Sequence, residues 1–399
     1  MNLPSSSSGG SAVLIIGASV AGLHAAYLLA RGGVPVYVFD QAEELGPPAR
    51  TLIVTPRISE ILGYVPSSAV VNRTPHLQLF SPTGAVTIGL GQADLVIERA
   101  KLIELLARQA RAAGAELLPG YRFAGLEPDH NGVVAHLQSQ AGRQAHVRTR
   151  TVIGADGVAS QVARAANQGR TPPAPAPVDG RTVYTLQAAV AMPSWARPDT
   201  TQVWFDPPST RFFYWLIPES QTRAAVGLIA DNPSQAQTSL QHFLAAQHLE
   251  PLDYQGAQVP SCRGNGLPAT TVSGARVFFI GDAAAHVKMT TVGGAVTGLR
   301  GARAAAQAIL DSGQPGSESK ALRRELRWHQ LLRRVLDRFG PADYDELLSL
   351  VNIRMQGVLG AVTRDEALRL LLPALLAQPR LLFLAASRFL GGDGASSRE

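Results

Sequence analysis

A glycine-containing turn between two regular segments constrains the fold of this chain more than any other feature. Residues 12–16 form a continuous apolar run typical of a buried strand, and residues 19–31 have the alanine- and leucine-rich character of a helix. The turn at residues 17–22 reads GASVAG, and a second apolar run follows at residues 34–39. Strand, turn, helix and strand in this order predict a βαβ unit, and therefore the start of a parallel sheet.

The turn is suited to bind the pyrophosphate of a dinucleotide. Gly17 permits the tight bend, Gly22 lets the helix approach the strands, and Ser19 replaces the middle glycine of the common G-x-G-x-x-G pattern. Serine is small enough for close approach, and the N-terminus of the following helix attracts an anion. Asp40, at the end of the second strand, lies where a carboxylate accepts hydrogen bonds from a ribose, although it can equally cap the strand end. With Ala21, these are candidate cofactor-binding residues.

Two motifs further along the chain have an aspartate directly after a glycine or one residue beyond it, and we call both Gly-Asp motifs. Residues 152–157 read VIGADG, and residues 279–282 read FIGD. A strand ending in Gly-Asp presents a carboxylate at the carboxyl edge of a sheet, where ligands of open α/β sheets bind. The turn at 292–294 precedes a predicted helix at 295–310, whose N-terminus would favour the anionic edge of a reduced flavin. Either Gly-Asp pair alone is common in ordinary turns; together they add as candidates Asp156, Gly281, Asp282, Val292, Gly293 and Gly294.

In this order and spacing, the three motifs resemble the FAD-binding pattern of the p-hydroxybenzoate hydroxylase-like flavoprotein superfamily. The resemblance covers most of the chain and implies a Rossmann-like α/β FAD-binding domain of the glutathione reductase/p-hydroxybenzoate hydroxylase type. It also implies that Arg99 contacts the flavin or its diphosphate linker; the alternative is a helix-start arginine paired with a nearby acid. Because the chain has one dinucleotide turn, the electron donor, NAD(P)H or reduced ferredoxin, would bind only transiently.

The resemblance divides the chain into four parts. A proline-rich stretch at residues 169–180 marks a candidate domain boundary. The expected parts are a disordered tail at 1–10, a discontinuous FAD-binding domain at 11–60, 95–168 and 270–312, an inserted β-sheet substrate domain at 61–94 and 175–269, and a C-terminal helical region at 313–393.

Within the superfamily, two segments are similar to the geranylgeranyl reductase family of FAD-dependent oxidoreductases. Residues 283–302 follow that family's glycine-rich pattern after Gly-Asp, with Met289 in place of the usual proline and Ala295 near its third glycine. Residues 213–218, FYWLIP, resemble its Y-x-W-x-F-P strand. The resemblance implies that this strand lines an isoprenoid cavity with Phe213, Trp215 and Ile217; ordinary packing of a sheet face is the alternative.

The implied reaction is saturation of C=C bonds in an isoprenoid chain by hydride transfer from reduced FAD. His286 and Tyr214 are candidate proton donors, although a histidine at a strand end is more often structural. Lys288 is a candidate for binding a diphosphate or polar head group. The expected partner is an isoprenoid or another hydrophobic small molecule. Some reductases carry a cysteine in the loop after the ribose acid, but the single cysteine here, Cys262, lies elsewhere.

Other functions remain open on sequence grounds. The main alternative is an FAD-dependent monooxygenase, a hydroxylase or epoxidase that uses NAD(P)H and O₂ on an aromatic or terpenoid substrate. A flavin halogenase fits less well, because Phe213 replaces the first tryptophan of its W-x-W-x-I-P pattern and no lysine lies between residues 42 and 100. A prenyl carrier without flavin is the non-enzymatic alternative.

The charge of the chain bears on its partners and location. The net charge is +6, carried mostly by arginine, and no nucleic-acid module is recognisable, so we expect no nucleic-acid partner. Residues 322–339 mix arginine with apolar residues; such a segment can lie on anionic lipid or form a solvated face over the core. Residues 1–11 lack the basic start of a secretory signal. We expect a cytoplasmic protein in peripheral contact with the inner membrane face. The sequence does not determine its oligomeric state.

Overall fold

The computed structural model describes residues 12–46, 50–168, 181–262, 264, 266–311, 316–381, 384 and 386. The predicted tail at 1–10 and the proline-rich boundary at 169–180 lie outside the described residues, as does the end of the expected helical region beyond 386.

Within the described residues, the chain forms strands in three sheets and a set of α-helices. The strands are β1 (Val13–Ile16), β2 (Val36–Asp40), β3 (Thr51–Val54), β4 (Val70–Phe80), β5 (Ala85–Glu98), β6 (Glu116–Pro119), β7 (Tyr121–Asp129), β8 (Gly132–Ser139), β9 (Gln144–Thr149), β10 (Thr151–Gly154), β11 (Thr182–Ala191), β12 (Thr200–Trp204), β13 (Tyr214–Pro218), β14 (Arg223–Ala230), β15 (Pro251–Pro260), β16 (Ala269–Val272) and β17 (Ala275–Phe279). The helices are α1 (Val20–Arg31), α2 (Arg57–Leu62), α3 (Arg99–Ala112), α4 (Gln161–Asn167), α5 (Pro233–Ala246), α6 (Ala295–Leu310), α7 (Ser317–Leu336), α8 (Pro341–Ser349), α9 (Ile353–Ala361) and α10 (Ala367–Ala377).

The predicted βαβ unit forms the centre of a six-stranded sheet with the order β16-β17-β10-β1-β2-β6. All pairs are parallel except the edge pair β16–β17. Strand β1 is buried on both faces: Val13 and Ile15 pack in a cluster with α1, α3 and α6, while Leu14 and Ile16 pack with α4 and the three-stranded sheet β7-β8-β9. Burial on both faces explains the continuous apolar run in the sequence.

The second large sheet has eight strands in the order β15-β11-β14-β13-β12-β4-β5-β3. Helix α5 covers one face, where Leu240 and Leu244 pack on Leu216 and Leu228. On the other face Ile229 packs with Val287 and its neighbours, which belong to the segment leading into α6. This face is therefore turned toward the six-stranded sheet's ligand-binding edge.

One assignment differs from the sequence-based expectations. Residues 51–54, expected within the FAD-binding part, form β3 at the edge of the eight-stranded sheet, where they pair with β5. Further along the chain, β9 and β10 are separated only by Arg150 but belong to different sheets: β9 pairs with β8, and β10 joins the parallel sheet beside β1.

The C-terminal helices pack on the two sheets. Helix α7 contacts α6 and α10, and α9 lies against β5. The α9–β5 contact is close because both elements have glycine there: a Cβ on Gly360 would lie 2.5 Å from the carbonyl oxygen of Gly89. Of the helices in the described ranges, none has both the length and the apolar character needed to cross a membrane.

Candidate active site

A cavity of about 530 Å³ lies at the carboxyl ends of β1, β2, β10 and β17. It is the site that the rule for open α/β sheets predicts. Of the predicted cofactor-binding residues, most line this cavity: Gly17, Ser19, Ala21, Asp40, Arg99, Asp156, Gly281, Asp282, Val292 and Gly294. Gly22 and Gly293 do not line it.

The turn between β1 and α1 has the geometry that its glycines require. Gly17 has φ +107°, and a Cβ there would lie 2.3 Å from the carbonyl oxygen of Ala155. A Cβ on Gly22 would lie 2.0 Å from the carbonyl oxygen of Gly17, so Gly22 allows α1 to approach the turn. The Ser19 hydroxyl oxygen accepts a hydrogen bond from the Gly22 N–H at 3.2 Å and caps α1. The hydroxyl hydrogen of Ser19 remains as a donor.

Asp40 ties the end of β2 to this turn. One carboxylate oxygen accepts from the Ala18 N–H at 2.7 Å, and the other accepts from the Ala42 N–H at 2.8 Å. Asp40 thus caps its strand and also lines the cavity, so the two interpretations of this residue are compatible.

Asp156 has a capping role. Its carboxylate accepts from the Ser160 hydroxyl at 2.6 Å and from the backbone N–H groups of Gln161 and Val162 at the start of α4. Burial raises the pKa of Asp156, and these hydrogen bonds oppose the rise. The side chain lines the cavity wall while its oxygens hold α4 in place.

Asp282 and two arginines form the charged part of the cavity. Burial raises the pKa of Asp282, and the positive charges of Arg50 and Arg99 oppose that rise. Arg99 also donates to the Gly46 carbonyl at 3.3 Å. Arg99 thus lines the cavity, with Asp282 as the acid beside it, and its contact with the flavin stays a prediction. Sequence reasoning missed Arg50, which lies in a loop without a recognisable pattern.

The lining of the cavity fits a flavin dinucleotide. Gly17 keeps the turn at the cavity wall tight, because a side chain there would collide with the backbone of Ala155. Arg50 donates to the Thr185 hydroxyl at 2.8 Å, but its Nε is buried and has no partner among the described residues. A buried donor of this kind costs free energy unless a ligand accepts from it. At the entry to α6, Val292 has φ +51°, which β-branched residues rarely adopt.

A second, largely apolar cavity of about 390 Å³ adjoins the first. The two cavities share five lining residues: Arg50, Leu52, Val292, Gly294 and Ala295. From β13 and the residue before it, Phe213, Trp215 and Ile217 line the second cavity, because alternate residues of a strand point to the same face. Gly293 lines it too, with the Lys288 side chain close by.

The two predicted proton donors lie outside both cavities. Tyr214 points to the opposite face of β13, where it stacks on Phe243 and its hydroxyl bonds to Ser209. His286 is fully buried; its Nδ1 accepts from the Gly281 N–H at 3.2 Å, and its ring occupies the space above Gly301. The positions of both residues fit a structural role and do not fit direct proton transfer to a substrate in the apolar cavity.

Lys288 lines the apolar cavity, but its charge is already neutralised. Its ammonium group forms an ion pair with the fully buried Asp365. Arg364 and Arg333, which also line the cavity, pair with Asp94 and with Asp337, respectively. The fourth lining cation, Arg50, lies at the junction with the first cavity, so the rest of the apolar cavity has only paired cations. Such a lining suits an uncharged ligand better than the diphosphate or polar head group that Lys288 was predicted to bind.

Comparison with known proteins agrees with this geometry. The family model described as an FAD binding domain matches residues 11–312. The chain belongs to this family. It is an FAD-dependent oxidoreductase related to the geranylgeranyl reductases, and the matched range contains both Gly-Asp motifs and the turn at Gly17.

Its relatives include two named prenyl reductases. Digeranylgeranylglycerophospholipid reductase 1 of Methanothermobacter thermautotrophicus is 26% identical over 74% of this chain and 76% of the relative. Geranylgeranyl diphosphate reductase of Rhodobacter capsulatus is 27% identical over 82% of this chain and 84% of the relative.

Solved structures share the fold. A geranylgeranyl bacteriochlorophyll reductase-like protein from Thermoplasma acidophilum has a TM-score of 0.77 at 19% identity and covers 94% of this chain and 98% of its own. A flavin-dependent halogenase has a TM-score of 0.63 at 16% identity over 96% of this chain and 77% of its own. Because different chemistries share this fold, the fold alone does not select the reaction.

Proposed function

We propose that this flavoprotein saturates C=C bonds of an isoprenoid chain. The observation that carries the proposal is the apolar cavity, which shares Arg50, Leu52 and the entry to α6 with the cofactor cavity. A prenyl chain in the apolar cavity would lie against the edge of the cofactor site. When bound, reduced FAD supplies the hydride for such a reaction.

The residues around the cofactor cavity would bind and orient FAD. The turn at Gly17 and the N-terminus of α1 would hold the pyrophosphate. Gly294 forms the N-cap of α6, so the N-terminus of this helix favours negative charge at the junction of the two cavities. The negative charge of Asp282 offsets part of the positive charge of Arg50 and Arg99. The Nε–H group of Arg50 would remain free to donate a hydrogen bond to the cofactor.

The apolar wall excludes water and orients the chain. Phe213, Trp215 and Ile217 offer a continuous apolar face, which favours a long hydrocarbon over a polar substrate. Since Lys288 has Asp365 as its partner, we propose that the cavity takes the uncharged part of the substrate and that any charged head group stays outside it. His286 and Tyr214 are not assigned as proton donors, because neither lines the cavity.

The electron donor and location follow from the same proposal. The described residues contain one dinucleotide-binding turn, so NAD(P)H or reduced ferredoxin would deliver electrons and leave. A lipid substrate resides in or near a bilayer, and we therefore propose a cytoplasmic protein in peripheral contact with the inner membrane face.

Single-turnover mixing tests the proposal. The FAD-loaded protein is reduced without oxygen and mixed with a geranylgeranyl lipid or with O₂ and an aromatic substrate. We expect the lipid to reoxidise the flavin and to gain two hydrogen atoms per saturated bond, measured by mass spectrometry. An oxygenated product that forms only with O₂, without any saturation of the lipid, would instead establish the monooxygenase alternative.

A further inference from the structure

The outer face of α7 carries a row of cations. Five basic side chains of this helix are exposed, and we call them the basic face: Lys320, Arg323, Arg324, Arg327 and Arg334. Four of them, together with the 42% exposed Leu331, follow a four-three-four-three spacing that places them on one stripe of the helix: Lys320, Arg324, Arg327, Leu331 and Arg334. The stripe extends about 21 Å along the helix axis.

The acids of α7 do not neutralise this face. Glu318 and Glu325 point inward, where Arg300 donates to them at 2.5 and 2.6 Å; Arg57 also pairs with Glu325 at 3.2 Å. In the described part of the chain, no carboxylate lies within ion-pair distance of the basic face. Like charges three or four positions apart destabilise a helix. The fold therefore keeps an uncompensated repulsion on this surface, which a polyanionic partner would relieve.

Exposed apolar residues accompany the cations. Leu331 lies within the stripe, and α10, which packs on α7 and α9, exposes 76% of Leu376. Ile353, the first residue of α9, is 80% exposed. Arg354 of α9 is exposed as well, whereas the exposed Arg369 of α10 pairs with Glu366 at 2.8 Å. Cations combined with exposed apolar side chains are typical of surfaces that bind the interface of a bilayer, whereas a purely electrostatic protein contact does not need the apolar side chains.

We infer that the basic face docks the protein on an anionic lipid bilayer. This inference deepens the proposed function, because the opposite side of α7 contributes Arg333 and Leu336 to the wall of the apolar cavity. The helix that faces the membrane is thus also part of the cavity that would receive the lipid chain. Vesicle binding needs neither electron donor nor turnover, so docking and reductase activity can fail independently.

Co-sedimentation with vesicles tests the inference on the full chain loaded with FAD. We expect binding to vesicles of phosphatidylglycerol and phosphatidylcholine, weak binding to phosphatidylcholine alone, and loss of binding as salt is raised, because salt screens surface charge. Each basic residue near an anionic surface contributes roughly a factor of five in partitioning. Replacing Arg324, Arg327 and Arg334 by glutamine should therefore weaken binding about 100-fold.

A charge-matched variant separates the basic face from net charge. Arg108, Arg111 and Arg143 are exposed on other surfaces, and their triple replacement by glutamine removes the same charge. We expect this control to bind vesicles like the unmodified protein. Circular dichroism and flavin absorbance verify that both variants are folded. Equal binding by the two variants, or no preference of the unmodified protein for anionic vesicles, overturns the inference; so does binding of an acidic electron-transfer protein without any vesicle binding.

Discussion

Lys288 and Asp365 are 77 positions apart in the sequence and form a buried ion pair at the wall of the apolar cavity. Lys288 precedes the turn into α6, and Asp365 lies between α9 and α10. The Thr55 hydroxyl also donates to Asp365, so the pair joins three distant segments. Burial would raise the pKa of Asp365, but Lys288 and Thr55 lower it to about 2.

Breaking this pair should destabilise the fold strongly. The substitution Asp365→Asn leaves Lys288 buried without a counter-charge, and we expect a loss of about 3–5 kcal/mol in the free energy of unfolding. Urea unfolding measures it. The double variant Lys288→Met with Asp365→Leu removes both charges and should recover most of the loss. A double variant no more stable than Asp365→Asn would show that the pair is not the source of the effect.

Two buried histidines should make the protein sensitive to mild acid. Burial, with Arg303 nearby, lowers the pKa of His24 to about 4, and burial with Lys288 nearby lowers that of His329 to about 4. The unfolded chain takes up these protons below about pH 6.5, whereas the folded protein does so only near pH 4. The contribution of the two neutral histidines to the free energy of unfolding is therefore fully present above pH 6.5, and it is lost as the pH falls toward 4.

The expected loss is about 3 kcal/mol per histidine between pH 7 and pH 4. Urea unfolding at several pH values measures it. His24→Leu removes one titrating group and should flatten the pH dependence of the unfolding free energy. An unchanged slope in this variant would mean that His24 takes up its proton at the same pH in the folded and in the unfolded chain.

Most of the residues predicted to bind the cofactor line one cavity, because local rules determine where they lie. The turn at Gly17 and the carboxylate of Asp282 follow strands whose apolar runs are visible, and parallel strands bring their carboxyl ends to one edge. Arg50 could not be found in this way. It reaches the cavity because β3 pairs with β5 in the second sheet, and that pairing depends on residues far along the chain.

The residues of the apolar cavity likewise divide into those that a local pattern predicts and those that only tertiary contacts bring there. Strand alternation places Phe213, Trp215 and Ile217 on one face, and it places Tyr214 on the other; the period of two could have excluded Tyr214 as a cavity residue. Two contacts could not be derived from spacing. The ring of His286 fits over Gly301 because α6 crosses there, and Lys288 meets Asp365 only after the C-terminal helices dock.

Substitutions on the two faces of β13 should have separate effects. Trp215→Ala removes an apolar wall from the cavity, and we expect kcat/KM for a prenyl substrate to fall roughly 10-fold or more. Tyr214→Phe removes a hydroxyl that bonds to Ser209 and to the Ser239 carbonyl, so it should cost about 1 kcal/mol of stability and leave the reaction unchanged. Single-turnover flavin reoxidation and urea unfolding measure the two effects. Loss of reoxidation in Tyr214→Phe, with FAD retained, would return Tyr214 to the role of proton donor.

Removing Asp282 should release the cofactor. The substitution Asp282→Ala leaves Arg50 and Arg99 buried beside each other without their shared carboxylate, and their mutual repulsion acts on the cavity wall. Asp253, which is exposed on β15, provides the matched control, because Asp253→Ala removes the same charge away from the cavity. We expect the control to retain FAD in the flavin absorbance of the purified protein, and Asp282→Ala to lose it while circular dichroism shows a folded chain. Because the arginines and the turn at Gly17 would remain in place, stoichiometric FAD in Asp282→Ala would mean that those elements suffice and that Asp282 is not part of the binding machinery.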